Sequence, residues 1–201
     1  MFDGPDGVGK TTQVRLAKEA LSVQGHSTYT TRVHGGTPIG EALRQVSFLD
    51  LPRPAGTDLH ISLAMYHSLA EDLDRHRQAG DICLVDRSPL SIIGYQVFGS
   101  GLDAKLGARG AKEALTLVKP DLMICYEAAI ELLFERRDER LKQDTTHQTD
   151  FFESQSDDYM RRVATGYAEA SHTYGALTIG ATGTSSSIHN ATMAHIAKLL
   201  R

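Results

Sequence analysis

The chain has 201 residues, 41% of them hydrophobic and 23% charged, and a formal net charge of −4. That length fits one compact core; the slight acidic excess offers no basic field for a long nucleic-acid backbone, and no apolar run approaches the ~18 to 20 residues that cross a bilayer. With no charged-then-apolar leader at its start, the protein is expected in the cytoplasm, with small-molecule rather than nucleic-acid or membrane partners.

The chain opens on FDGPDGVGKTTQ, residues 2–13. Gly4, Gly9, Lys10 and Thr11 complete the pattern G-x-x-x-x-G-K-[ST], in which glycines fold the backbone tightly enough for successive N–H groups to point at phosphate oxygens. Lys10 adds a point charge and Thr11 offers a hydroxyl to Mg²⁺. A helix from Thr11 to about Gln24 turns its positive end to the same anion. Gly4, Asp6, Gly7, Val8, Gly9, Lys10, Thr11 and Thr12 are therefore expected around the phosphates of ATP. Only Met1, Phe2 and Asp3 precede Gly4, so the strand that aims this loop is expected either to be unusually short or to lack residues that belong to it.

Short apolar runs bounded by Gly, Pro or Asp alternate with segments of helical period, the pattern of parallel strands joined by helical crossovers. Strands are expected at Ser27 to Thr31, Ile82 to Val85, Leu122 to Tyr126 and Leu177 to Gly180. Helices are expected at Leu59 to Gln78, Thr149 to Thr173 and Ser186 to Leu200. In the second of these, Phe152, Tyr159, Val163, Tyr167 and Ala170 form one apolar stripe, read as core. Cys83 and Cys125 lie in apolar runs and not in a C-x-x-C pair, so they are expected as buried free thiols. The histidines show no zinc-ligand spacing.

Four stretches carry candidate chemistry. Asp6 places a carboxylate inside the phosphate loop, which suits either a hydrogen bond to a sugar hydroxyl of a second substrate or a solvent-facing turn. In TTRVHGGTPIGEALR, Pro38 starts a helix and Arg32 closes a strand where such folds place ligands; phosphate recognition is the preferred reading, against a surface ion pair. In CLVDRSPLSIIGYQ, Asp86 ends a strand where phosphate-loop enzymes place a carboxylate for Mg²⁺, and Arg87 is suited to bidentate phosphate binding. Ser91, Tyr95 and Gln96 share a flank that suits reading a base or sugar edge, or ordinary packing. In ELLFERRDERLKQ, Arg136, Arg137, Arg140 and Lys142 suit a closing lid as well as a solvated helix face.

Together these stretches resemble the thymidylate kinases. FDGPDGVGKTTQ is similar to that family's phosphate loop, TRVHGGTPIGEALR to its second motif, and VDRSPLSIIGYQ to its Asp-Arg motif with a downstream Tyr-Gln pair. KPDLMICYE, the DFFES and YMRRVATGYAEAS stretch and the C-terminal LTIGATGTSSSIHNATMAHIAKLL continue the resemblance in order. It implies an α/β P-loop kinase fold over residues 1–201 as a single domain, with a five-stranded parallel sheet, flanking helices and a lid at about 136–150. It further implies transfer of the ATP γ-phosphate to dTMP in a homodimer with Mg²⁺. By position, Asp6 would contact the deoxyribose, Arg32 and Arg87 the acceptor phosphate, and Gln96 the base. Lys10, Thr11 and Asp86 would serve ATP and metal. Gly7 stands where some members carry arginine, so a lid arginine, Arg140 first, would supply that charge.

The chain departs from the family where the base is read. A stacking phenylalanine and an arginine one turn later are usual on the helix before the Asp-Arg strand, but Ile61 and Met65 stand there, with Tyr66 adjacent as a candidate stacking face. Asp-Arg-Ser at 86–88 replaces the commoner Asp-Arg-aromatic. These departures keep open a nucleoside or nucleotide kinase with another acceptor, and a nucleotide-binding protein with weak catalysis.

Overall fold

The computed structural model describes residues 1–49, 51, 53–143 and 156–200, the stretch 140–143 by backbone alone. In chain order the elements are β1 (Phe2–Asp3), α1 (Lys10–Val23), β2 (Thr28–Arg32), α2 (Pro38–Phe48), α3 (Ala55–Gln78), β3 (Ile82–Asp86), a π-helix (Ile92–Gly99) and α4 (Ala104–Val118). They continue with β4 (Ile124–Glu127), α5 (Ile130–Gln143), α6 (Asp157–Thr173), β5 (Leu177–Gly180) and α7 (Ser185–Leu199). The strands form one parallel five-stranded sheet in the order β2-β3-β1-β4-β5. The α/β parallel architecture expected from the alternating pattern is thus present.

The shortest strand occupies the middle. Phe2 pairs with Asp86 of β3 on one side and with Ile124 of β4 on the other, and Asp3 pairs with Cys125. Two residues suffice because each side of the strand is hydrogen-bonded, and the short β1 sets where its neighbour starts. Leu122 and Met123, expected in β4, precede it, and the Leu122 carbonyl accepts a hydrogen bond from the Met1 amino group.

Side-chain alternation along the strands divides the core into two layers. Phe2, Leu84, Ile124 and Tyr126 face α1 and α7, where Val14, Ala17, Leu21, Ile188 and Ile196 complete one apolar cluster. Val85, Met123 and Cys125 face the other way, into a cluster with Leu63, Tyr66, Leu69 and Leu73 of α3, Ala111 and Ala114 of α4, and Val163 and Tyr167 of α6. The stripe expected in α6 is core: Tyr159, Val163, Tyr167 and Ala170 are all buried. α6 begins at Asp157, with Ser156 accepting from the Tyr159 N–H as its cap; the part of the expected helix from Thr149 through Phe152 lies outside the described residues. α3 starts earlier than its pattern suggested, at Ala55, and Asp58 in its first turn pairs with Arg53 at 2.7 Å.

The stretch after β3 is wound as a π-helix, for which the packing of its glycines gives a reason. A Cβ on Gly94 would stand 2.9 Å from the Tyr167 ring, and one on Gly99 would stand 2.7 Å from the Tyr159 ring. The helix therefore accepts two α6 tyrosines against its own backbone. Its i→i+5 bonding is seen in Ser100 N–H to the Tyr95 carbonyl at 2.8 Å; of the three residues expected on one flank, Tyr95 reaches Asp6 and Gln96 meets Ser62, while Ser91 turns to Asp3.

Candidate active site

The loop between β1 and α1 is shaped by its glycines. Gly4 has φ +133°, and an added Cβ would lie 2.4 Å from the Tyr126 carbonyl oxygen, so neither its conformation nor its neighbour leaves room for a side chain. Gly9, at φ +101°, opens α1, whose first turn carries no acidic side chain and no side-chain cap. The orphan N–H groups and the positive end of the helix are thus left for an anion. Lys10 is buried and folds back into the loop, donating to the Gly4 carbonyl at 2.9 Å and the Pro5 carbonyl at 3.0 Å.

Across the sheet, Thr11 Oγ1 donates to Asp86 Oδ2 at 2.6 Å. The hydroxyl after the loop lysine and the carboxylate at the end of β3 therefore converge, as their motifs suggested. Among the described residues no cluster of His, Cys, Asp or Glu is large enough to hold a metal with protein ligands alone. The Thr11–Asp86 pair suits a hard cation that takes its remaining ligands from phosphate oxygens and water.

Asp6 is the hub of the opposite wall. Its carboxylate accepts from Arg87 Nη2 at 2.7 Å and from the Tyr95 hydroxyl at 2.6 Å, and pairs with Lys10 at 3.3 Å. Burial alone would raise its pKa; the two cations and the tyrosine hydroxyl outweigh burial and hold the carboxyl well below the ordinary Asp range. Tyr95 moves the other way: burial and the Asp6 charge push its phenol well above normal, so it stays a donor. Arg87 carries a positive φ of 77°, rare for a residue with a side chain, and its N–H is tied to the Phe2 carbonyl at 2.7 Å. Its guanidinium also lies 5.1 Å from the Tyr95 ring centre.

Behind this wall lies a residue the sequence reading passed over. Asp3 is fully buried and accepts from the Gly4 N–H, the Ser88 N–H and hydroxyl, the Ser91 hydroxyl and the Tyr167 hydroxyl, at 2.7 to 3.1 Å. The Asp-Arg-Ser departure has a structural reason here. Ser88 is wholly enclosed and gives the carboxylate both its donors, and a phenylalanine at this position would forfeit the hydroxyl contact.

A cavity of about 480 Å³ joins these parts, well within the size of small-molecule sites. Asp6, Gly7, Gly9, Lys10, Thr11, Thr12, Asp86, Arg87, Tyr95 and Gln96 line it, and so do Arg32 and Arg136. Arg32 also makes the ion pair weighed against phosphate recognition, with Glu41 at 2.9 Å, both side chains half exposed. Gln96, in the orientation that satisfies both ends of its amide, accepts from Ser62 Oγ at 3.2 Å and donates to the Ile92 carbonyl at 2.9 Å. Arg136 spans the Gly7 and Ala181 carbonyls. Arg137 is instead held by Asp157 and Asp138. Side chains at Arg140 and Lys142, and most of the expected lid, lie outside the described residues.

Gly4, Val8, Met65 and Tyr66 are not brought to the cavity. Gly4 and Val8 shape the loop from behind, Val8 being buried in the α1 and α7 layer. Met65 and Tyr66 are 2% and 1% exposed, so the stacking expected of Tyr66 has no open face to use. Tyr66 turns inward with Leu59, Leu63, Leu69 and Leu73 of α3, which share its buried stripe. The cavity wall is completed by His34, Arg44 and Phe48, which the sequence reading did not single out. Burial, with Arg87 and Arg44 nearby, drives His34 down to about 3, so its ring is neutral.

Comparison with known proteins agrees with the motifs. A family model described as thymidylate kinase matches residues 2–191. The chain is 31% identical over 204 residues to a thymidylate kinase of Synechococcus sp. (strain WH7803), covering 95% of this chain and 91% of that one. It is 34% identical over 184 residues to one from Synechococcus sp. (strain RCC307), covering 85% and 82%. A third, from Verminephrobacter eiseniae, is 32% identical over 177 residues, covering 84% and 76%. A match of that extent, on motifs that meet in one cavity, means that the chain belongs to the thymidylate kinase family.

Proposed function

We propose that this protein transfers the γ-phosphoryl group of ATP to dTMP, giving ADP and dTDP. The observation that carries the proposal is the contact of Arg87 and Tyr95 with Asp6, a phosphate-loop residue, in the wall of one cavity. It joins a loop built for a phosphate donor to a cation suited to an acceptor phosphate.

In this reading the loop N–H groups and Lys10 hold the donor's β- and γ-phosphates, and Lys10 exchanges the Gly4 and Pro5 carbonyls for phosphate oxygens. Thr11 and Asp86 hold Mg²⁺, which when bound neutralises charge on the donor phosphates. Arg87 and Arg32 draw the acceptor monophosphate into line, and Asp6 receives the deoxyribose hydroxyl while fixing the Arg87 guanidinium. A phosphate oxygen of dTMP then forms its bond to the γ-phosphorus as the bond to the β,γ-bridging oxygen breaks, its electron pair leaving with ADP. That oxygen is already ionised near pH 7, so no side chain has to remove a proton. Arg136 borders the same cavity, and closure of a lid at about 136–150 would bring Arg140 to the developing charge. The family resemblance supports a cytoplasmic homodimer of single-domain subunits.

ADP release with ATP and Mg²⁺ across dTMP, dUMP, dCMP, dGMP, AMP and thymidine, with wild type and Arg87→Ala, tests the proposal. Strong Arg87-dependent turnover of dTMP supports it. Preference for another acceptor sinks the thymine assignment, and no turnover with any acceptor sinks the kinase reading.

A further inference from the structure

We infer that the base of the acceptor nucleotide stacks against Phe48, beside Arg44, so that the base seat is built on α2 and not on α3. The inference rests on the proposed acceptor being a nucleoside monophosphate. Its first support is what α3 does: Met65 and Tyr66 are sealed in the core, and among the described residues α3 contributes nothing to the cavity wall. A base held in this cavity therefore meets other elements.

The aromatic surface available there is narrow in choice. Tyr95 borders the cavity, but its hydroxyl is bound to Asp6, Arg87 lies against its ring, and Tyr167 meets it edge-on at 5.9 Å. Phe48 is a partly buried ring on the cavity wall with no polar atom to satisfy. The Arg44 guanidinium stands 4.2 Å over that ring, and Arg44 Nη1 donates to the His34 carbonyl at 2.6 Å. The guanidinium caps one face of the Phe48 ring, so a base stacking here takes the opposite face, with a cation close by for the carbonyls of a pyrimidine.

The wall is also held in place, which a specificity element needs. Arg53 is nearly enclosed; it donates to the carbonyls of Val46, Ser47 and Leu49 at the end of α2 and pairs with Asp58 of α3. The backbone on both sides of Phe48 is thereby fixed to the body of the protein.

The sequence contains no tryptophan, so Phe48→Trp would place a single indole in the wall. Titration of that variant with dTMP is expected to change its emission saturably, while Phe48→Ala is expected to raise the KM for dTMP roughly ten-fold or more and leave the KM for ATP within about two-fold. Phe48→Tyr is expected to restore the wild-type KM. Silent emission with an unchanged dTMP KM in Phe48→Ala, in a wild type that turns over dTMP, overturns the inference and leaves the proposed function standing. A wild type that ignores dTMP sinks that function and the inference with it.

Discussion

Arg87 Nη2 stands 2.7 Å from Asp6 Oδ1, so the residue that follows β3 is bound directly to the phosphate loop. The pair is partly buried, and the Arg87 guanidinium helps keep the Asp6 carboxylate ionised. Arg87→Ala is expected to lower kcat/KM for dTMP by roughly 10²- to 10³-fold, the scale for losing one preorganised charge partner of a transition state. The KM for ATP should move far less. Equal losses for both substrates in steady-state kinetics would count against an acceptor role for Arg87.

The same pair sets an acid limb. Asp6 is held below its ordinary value of 3.8, so it contributes stability that is present above that value and lost as pH falls beneath it. Asp6→Asn removes that contribution and should flatten the fall in melting temperature below about pH 4.

His34 acts at milder pH. Its pKa is lowered from 6.5 to about 3, so between those values the unfolded chain takes up a proton that the folded one refuses. Stability therefore falls on acidification through that window. His34→Asn, chosen because Asn tolerates the positive φ of 65° at this position, is expected to lose less stability between pH 6.5 and 4 than wild type does in matched urea titrations.

Asp3 gives a test that does not touch substrate. Ser88→Ala and Tyr167→Phe each remove a donor from a fully buried carboxylate and should cost about 1 to 3 kcal/mol in denaturant unfolding. Ser88→Phe, which restores the family's commoner aromatic, is expected to destabilise at least as much, because it removes the same donor and puts a far larger side chain at a fully enclosed position.

Arg53 links stability to the base seat. Arg53→Ala leaves Asp58 buried without its ion-pair partner, at a cost of about 3 to 5 kcal/mol. It also frees the end of α2, so the dTMP KM should rise even at temperatures where the variant is folded. In the double variant Arg53→Ala, Asp58→Ala, stability should partly recover while the KM stays high.

The architecture was legible in the sequence because it rests on local period. ICLVD and ICYE alternate between the two layers residue by residue, and the apolar stripe of α6 faces inward as its spacing requires. The meeting of Thr11 with Asp86 was legible because each belongs to a motif with one chemical purpose. The inward placement of Tyr66 was legible too, because Leu59, Leu63, Leu69 and Leu73 carry the helical spacing that puts it on the buried stripe; the stacking role expected of it ran against that pattern. Asp3 was passed over because its partners at 88, 91 and 167 come together only in the finished sheet. Arg44 and Phe48, four residues apart on α2, carried the helical spacing that would have placed them on one flank.

The central position of β1 has a consequence for how the molecule is made. Phe2 and Asp3 leave the ribosome well before β3 and β4, yet the slot they fill is walled by those two strands, the second of which ends at Glu127. A nascent chain stopped before that point has at most one wall for its first strand, and the loop that follows has nothing to aim it. Formation of the nucleotide site is therefore a late event bound to long-range pairing, of the slow kind that high contact order imposes. A nucleotide bound at this site adds its mass-action stabilisation only to chains whose sheet is already assembled.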